Sequence, residues 1–186
     1  MVSINYKEYE ISLYCDGQYD PASADNSNSY NAVYYSKSTG EYISSRISVV
    51  IKLGDEIAAG VILFSGGGFA GIHEKSYVLK DDAIYICAGN SLFSLSLPDL
   101  KLRWVTEVDW GSAFKILEIS DGFIIHGELS ISRVDKDGNI LWQNSGPDIF
   151  VSPLGERDCC FIRDDTVYAE TWDGSTFRFD FDGHTL

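Results

Sequence analysis

Between residues 82 and 186 one phrase is written three times: an acidic turn, an apolar strand, a second strand, a tight turn, then a closing strand. The first copy runs Asp82-Ala83-Ile84-Tyr85-Ile86, Ser91-Leu92-Phe93-Ser94-Leu95, Pro98-Asp99 and Leu102-Arg103-Trp104. The second runs Asp121-Gly122-Phe123-Ile124-Ile125, Ser130-Ile131-Ser132-Arg133-Val134, Asp137-Gly138 and Ile140-Leu141-Trp142. The third runs Asp165-Thr166-Val167-Tyr168, Thr176-Phe177-Arg178-Phe179 and Asp182-Gly183, and reaches Leu186 where a tryptophan would follow. Asp82, Asp121 and Asp165 stand 39 and 44 residues apart, and Trp104 and Trp142 stand 38 apart. A repeat of about 40 residues made of short strands and turns implies one small antiparallel sheet per copy. The expected fold is all-β: a repeated antiparallel meander of about four sheets, arranged like propeller blades in an open or incomplete ring.

The chain reads as a single domain, 1–186, whose first 74 residues diverge from the repeat. Tyr9 to Tyr14 alternates at the strand period. Residues 16–32 are polar and turn-rich, and read as a flexible surface loop. Tyr30 to Tyr35 and Tyr42 to Ile51 flank Ser38-Thr39-Gly40-Glu41, which reads as a hairpin turn. Ile47 to Leu53 and Val61 to Phe64 are apolar strands, with a short helical turn expected over Asp55 to Ala59. Phe114 to Ile119, Ile149 to Val151 and Cys159 to Ile162 supply strands between the repeated phrases. The open edges of such an array need cover, and the first 50 residues are placed to give it.

Asp135-Lys136-Asp137-Gly138-Asn139-Ile140-Leu141-Trp142 and Asn90-Ser91-Leu92-Phe93-Ser94-Leu95 resemble the closing phrase and the preceding strand of the quinoprotein-type (PQQ-like) propeller repeat. The resemblance covers residues 75–186. It departs at Leu100, where the family's turn carries glycine, and at the third copy, which lacks its tryptophan. The family's enzymes are much larger, so their quinone and calcium sites carry over to no residue here. The resemblance implies the fold and leaves function to specific side chains.

Several motifs invite chemistry. Gly66-Gly67-Gly68-Phe69-Ala70-Gly71 matches a dinucleotide fingerprint literally, but that site needs a helix next, and Ile72 to Leu79 alternates like a strand. A glycine-rich bend is expected, with no nucleotide and no other cofactor. Asp135-x-Asp137-Gly138 and Asp180-x-Asp182-Gly183 open like calcium loops but lack the later acidic ligands, and tight turns account for both. His73-Glu74 is the single pairing able to support acid–base chemistry, although neighbouring strand residues diverge. Cys15, Cys87, Cys159 and Cys160 lack metal or redox spacing. They read as free thiols, with one of the last two in the core and the other outward.

Charge gives the strongest bulk signal. Fourteen basic against 28 acidic residues leave a net −14, which repels nucleic acid and anionic membrane and attracts basic partners. No stretch has the length and apolarity of a membrane-spanning helix. The N-terminus shows neither a basic lead nor an apolar signal core, so a cytoplasmic location is expected. Trp110 follows Glu107 and Asp109, and Trp172 precedes Asp173, with Asp180 nearby in sequence. Aromatics beside carboxylates make anchors for a basic protein partner. The leading expectation is a non-enzymatic binding protein, in concrete form an immunity-type inhibitor of a basic toxin. The alternative is a scaffold or interaction module of a larger assembly, and the third is a small enzyme using His73 and Glu74.

Overall fold

The computed structural model describes residues 1–40, 42–152 and 158–186. The first sheet contains β1 (Val2–Tyr6), β2 (Tyr9–Cys15), β3 (Ala32–Tyr35), β4 (Ser45–Leu53) and β5 (Glu56–Ser65), side by side in the order β1-β2-β4-β5-β3. The second holds β6 (Tyr77–Lys80), β7 (Ala83–Ala88), β8 (Ser91–Ser96) and β9 (Leu102–Glu107), in chain order. The third holds β10 (Ala113–Ile119), β11 (Gly122–Gly127), β12 (Ser130–Asp135) and β13 (Ile140–Ser145), again in chain order. The fourth has β14 (Cys160–Arg163), β15 (Thr166–Glu170) and β16 (Thr176–Phe179). Among the described residues every strand pair is antiparallel except β3 with β5, which run parallel. The fold is all-β, and the repeated phrases of the sequence are its second, third and fourth sheets.

Strand periodicity lets one strand serve two cores. On β7, Ile84, Ile86 and Ala88 pack toward the first sheet, while Ala83, Tyr85 and Cys87 join the cluster shared with the third. On β11, Phe123 and Ile125 face the second sheet and Ile124 the fourth. Both central strands are therefore buried along their whole length. Among the described residues no apolar cluster joins the fourth sheet to the first. The sheets form an open row of blades.

The acidic turns are explained by backbone chemistry. Asp81 and Asp82, and again Asp164 and Asp165, adopt positive φ in two-residue hairpins. Aspartate tolerates that region better than most side chains. Asp135 Oδ1 accepts the Asp137 and Asn139 amides at 2.9 and 2.8 Å, and Asp180 Oδ1 accepts Asp182 and His184 at 2.9 Å each. The leading aspartates of the two calcium-like phrases are occupied in closing their own turns.

Trp104 and Trp142 occupy equivalent places. Each follows a bulge against the preceding strand. Each donates its indole N–H to the turn of the next sheet, Trp104 to the Lys136 carbonyl at 3.1 Å and Trp142 to the Phe181 carbonyl at 2.8 Å. Two residues on, Thr106 and Asn144 bond the carbonyls of Gly138 and Gly183 at 2.6 and 2.9 Å. At the first junction a different pair takes over: the Tyr34 hydroxyl donates to the Leu100 carbonyl at 3.1 Å, and Leu100 holds φ 53°. The glycine missing from the first turn is thus matched by a tyrosine in place of tryptophan.

The N-terminal part departs from expectation in several places. Tyr30 to Tyr35 does not form a hairpin with the segment after residue 42. Lys37–Gly40 makes a 3-10 turn, and β3 crosses to lie parallel to β5. Glu41 of the expected turn lies outside the described residues. Asp55 to Ala59 is not helical: Gly54, at φ 60°, turns β4 into β5, and Glu56 already pairs with Leu53. The segment expected to be a flexible surface loop is anchored by aromatic packing, since Tyr19 packs edge-on to Tyr30 and to Phe64, with ring centroids 4.8 and 6.3 Å apart. Asp16 Oδ2 accepts Asn28 and the Tyr30 hydroxyl at 2.9 and 2.6 Å. This segment lies over the face of the first sheet opposite the second. Further on, Ile149 to Val151 is loop, not strand, with Phe150 fully buried. Cys159 and Cys160 are both buried, because Cys159 precedes its strand and lies under the Phe150 carbonyl and His126.

Candidate functional site

The connections at one end of the sheets are tied into a continuous band. Asn90 N donates to Gly66 O at 3.2 Å, Gly68 N to Gly111 O at 2.8 Å, and Ala113 N to Gly89 O at 2.7 Å. The band continues through Glu128 N to Ser112 O, Phe150 N to Glu128 O and Trp172 N to Ile149 O, at 2.8, 2.7 and 2.8 Å. The glycine run belongs to this band. Gly67 has φ 78°, and a Cβ there would meet Asn90 at 2.6 Å and run into the Gly111 carbonyl. Residues 66–71 therefore bend the chain between β5 and β6, with glycine required by close backbone approach.

A cavity of about 410 Å³ opens at this end, lined by Tyr42, Gly67, Asn90, Glu107, Trp110 and Gln143, with Lys37, Ser38 and Asp109 completing it. Three of the six residues expected from sequence, Glu107, Asp109 and Trp110, come together there. They differ in what they offer. Trp110 is 86% exposed. Glu107 ends β9, and its Oε1 is buried with no hydrogen-bond partner among the described residues. Asp109 is turned inward: Oδ1 accepts Gly111 N at 2.6 Å, and Oδ2 accepts the Ser130 hydroxyl and Leu129 N at 2.7 and 3.1 Å. Burial raises its pKa above the ordinary carboxylate value, against the pull of those bonds. Its present work is to hold two loops together.

The other three expected residues lie apart from the cavity. Trp172 is half exposed on the same loop band. Asp173 caps its own turn, accepting Thr171 Oγ1 at 2.7 Å and Ser175 N at 2.9 Å, and these bonds lower its pKa. Asp180 follows β16, at the opposite end of the fourth sheet from Trp172 and Asp173. It pairs with His184 at 3.0 Å, and the His184 backbone and side chain lower its pKa. His73 and Glu74 sit in an exposed turn, where the His73 imidazole accepts Lys75 N at 3.2 Å. They line no part of the cavity.

Sequence reasoning passed over Asn90 and Gln143. Asn90 is 6% exposed, and its Oδ1 accepts hydroxyls from Ser38, Ser65 and Ser91 at 3.0, 3.1 and 2.9 Å. Gln143 Nε2 donates to Val108 O and to Ser130 and Ser132 at 2.8, 3.1 and 2.9 Å. Each amide is thereby held in one orientation, which leaves Asn90 Nδ2 as a donor and Gln143 Oε1 as an acceptor. The only sequence signal was position: one stands at a hairpin tip, the other one residue after a repeated tryptophan.

The groups with most intrinsic reactivity serve structure. His126 is buried against the Phe150 carbonyl at 2.7 Å, and burial lowers its pKa to about 4. Burial raises the thiol pKa values of Cys87 and Cys159, and that of Cys160 to about 12, so none is a ready thiolate. Lys115 is buried and bonds Asp158 and the Cys160 carbonyl.

No protein-family model matches the sequence, and no curated protein matches it. Among solved structures the chain is similar to the WD40 domain of Neurospora crassa Pan2, at 14% identity and a TM-score of 0.48 over 60% of this chain and 36% of that one. It is similar to BamB from Moraxella catarrhalis at 18% and 0.42, over 75% and 57%. It is similar to the computationally designed Ika4 protein at 9% and 0.49, over 65% and 78%. The chain spans little more than a third of the Pan2 domain and under two thirds of BamB. Likeness of this order assigns no function, and the blade-like fold stands on the sheets themselves.

Proposed function

We propose that the chain is a non-enzymatic protein-interaction module that engages a basic partner through its loop end. The observation that carries this reading is Trp110, a large aromatic left 86% exposed beside a cavity lined by Glu107. Large aromatics that become buried at the centre of a protein interface carry a large share of its binding energy. The loops beneath it are tied to one another by backbone bonds, so little ordering is needed on binding. The net charge of −14 favours capture of a cationic surface. The narrower reading, an inhibitor of a basic toxin, draws on acidity alone and gains nothing from the geometry. The enzyme reading has His73 and Glu74 in an exposed turn, outside the loop-end cavity.

The test is capture from cell extract by the immobilised chain and its Trp110→Ala variant in parallel, with bound proteins cross-linked and the links mapped. The reading expects a basic protein retained by the wild type, lost by the variant, and linked near residues 37–42 and 107–112. Equal retention by both, or links confined to the far end of the sheets, sinks it.

A further inference from the structure

We infer that the loop-end cavity receives an arginine side chain of the partner polypeptide. This rests on the interaction reading and adds the chemistry of the residue recognised. A guanidinium presents five N–H donors in a rigid fork and stacks on aromatic faces. The cavity supplies the complement from three separate elements. Glu107 at the end of β9 lines the cavity with its carboxylate, and because the buried Oε1 has no hydrogen-bond partner among the described residues, no bond to that oxygen holds the group away from a cation. Gln143 on β13 has its amide nitrogen committed to Val108, Ser130 and Ser132, which leaves Oε1 as a neutral acceptor. Trp110 lines the same cavity and leaves most of its indole exposed.

Asn90 adds a second independent point. It is 6% exposed, lines the cavity and has Oδ1 filled by three hydroxyls, so Nδ2 is its remaining polar group. Among the described residues Nδ2 makes no hydrogen bond, and it is not sealed from solvent, so it is free to donate into the cavity that Asn90 lines. A donor next to a carboxylate does not suit a bare cation. It suits a side chain delivered on a peptide, whose backbone carbonyl Asn90 can meet while the guanidinium reaches Glu107. The volume, about 410 Å³, admits one such side chain and its peptide unit. Lys37 also lines the cavity and opposes a cation there, but it is exposed and its long stem can turn to solvent.

The probe is N-acetyl-arginine methylamide, with the citrulline analogue as its neutral isostere, titrated at millimolar concentration against ¹⁵N-labelled protein. The arginine compound should shift the Trp110 indole and the Asn90 side-chain amide, and citrulline should bind roughly tenfold to a hundredfold more weakly. Glu107→Gln should weaken the arginine compound by a similar factor. Equal response to the two compounds, no response to either, or full binding by the Glu107→Gln variant overturns the arginine assignment. If capture of a partner still depends on Trp110 in that case, the interaction reading survives and only the arginine fails. If capture ignores Trp110 as well, both fail.

Discussion

The indole of Trp104 lies where a side chain of residue 138 would begin: a Cβ on Gly138 would stand 2.6 Å from its Cδ2. Gly183 has the same relation to Trp142, at 2.8 Å from Cδ2. Glycine at these turns therefore does two things, accepting a left-handed φ of 89° or 85° and admitting the indole of the sheet before.

These two roles separate by mutation. Gly174 also has positive φ, 82°, but a Cβ there meets open space. Gly174→Ala should cost only the left-handed penalty, about 1–2 kcal/mol. Gly138→Ala should cost that and a further ~1–3 kcal/mol for overpacking against Trp104. Urea denaturation of both variants checks the difference, and equal losses would show that Trp104 moves aside freely.

Leu100 reverses a familiar order. It is fully buried in the cluster between the first two sheets and holds φ 53°. Leu100→Ala and Leu100→Gly should both destabilise, by about 2–5 kcal/mol for the alanine variant. The glycine variant should be the more stable of the two by roughly 1 kcal/mol, since it alone relieves the backbone. A less stable glycine variant would mean that the backbone has left the left-handed region.

His126 should make the protein acid-sensitive. Its folded pKa is lowered from 6.5 to about 4 by burial, so the unfolded chain takes a proton that the folded chain refuses. Stability from this group is full above pH 6.5 and is lost as pH falls through 4. The loss is on the order of 3 kcal/mol. Denaturation between those limits should show a slope that His126→Asn removes. An unchanged slope would place the acid sensitivity elsewhere.

Lys115 and Asp158 should respond unequally. Burial alone would raise the Asp158 pKa, but Lys115 and Lys75 hold it down to about 2. Asp158→Asn strands a buried ammonium and should cost about 3–5 kcal/mol. Lys115→Met leaves Asp158 with Lys75 at 2.7 Å and should cost much less. Thermal unfolding of the two variants decides the order.

Much of the array was legible because its signals are local. Asp82, Asp121 and Asp165 mark hairpins whose partners lie within a few residues, and the Trp104–Trp142 interval repeats the sheet spacing. What the sequence hid is long-range. Tyr34 pairs with Leu63 across a parallel crossover, whereas adjacency favoured a hairpin. Glu56 to Ala59 has helix-forming residues, yet β4 recruits them into a long strand, and tertiary pairing overrides propensity. In the site, Glu107, Asp109 and Trp110 were found as a cluster of residue types. Nothing in their spacing could tell that Asp109 turns inward to Ser130, 21 residues on. Asn90 and Gln143 come from different sheets and meet only in the folded chain.

The measurement that bears most directly on a loop-end interface for a basic partner is the association rate of the captured partner against salt, for wild type, Glu107→Gln, Trp110→Ala and Asp180→Asn. Charge steering is screened over about 8 Å at physiological ionic strength, so the wild-type on-rate should fall steeply as salt rises. Glu107→Gln should slow association and, by removing the carboxylate that meets the arginine, also speed dissociation, Trp110→Ala should speed dissociation, and Asp180→Asn, at the other end of the fourth sheet, should change little. An on-rate indifferent to salt, with Trp110→Ala releasing the partner no faster than Asp180→Asn, would contradict the account.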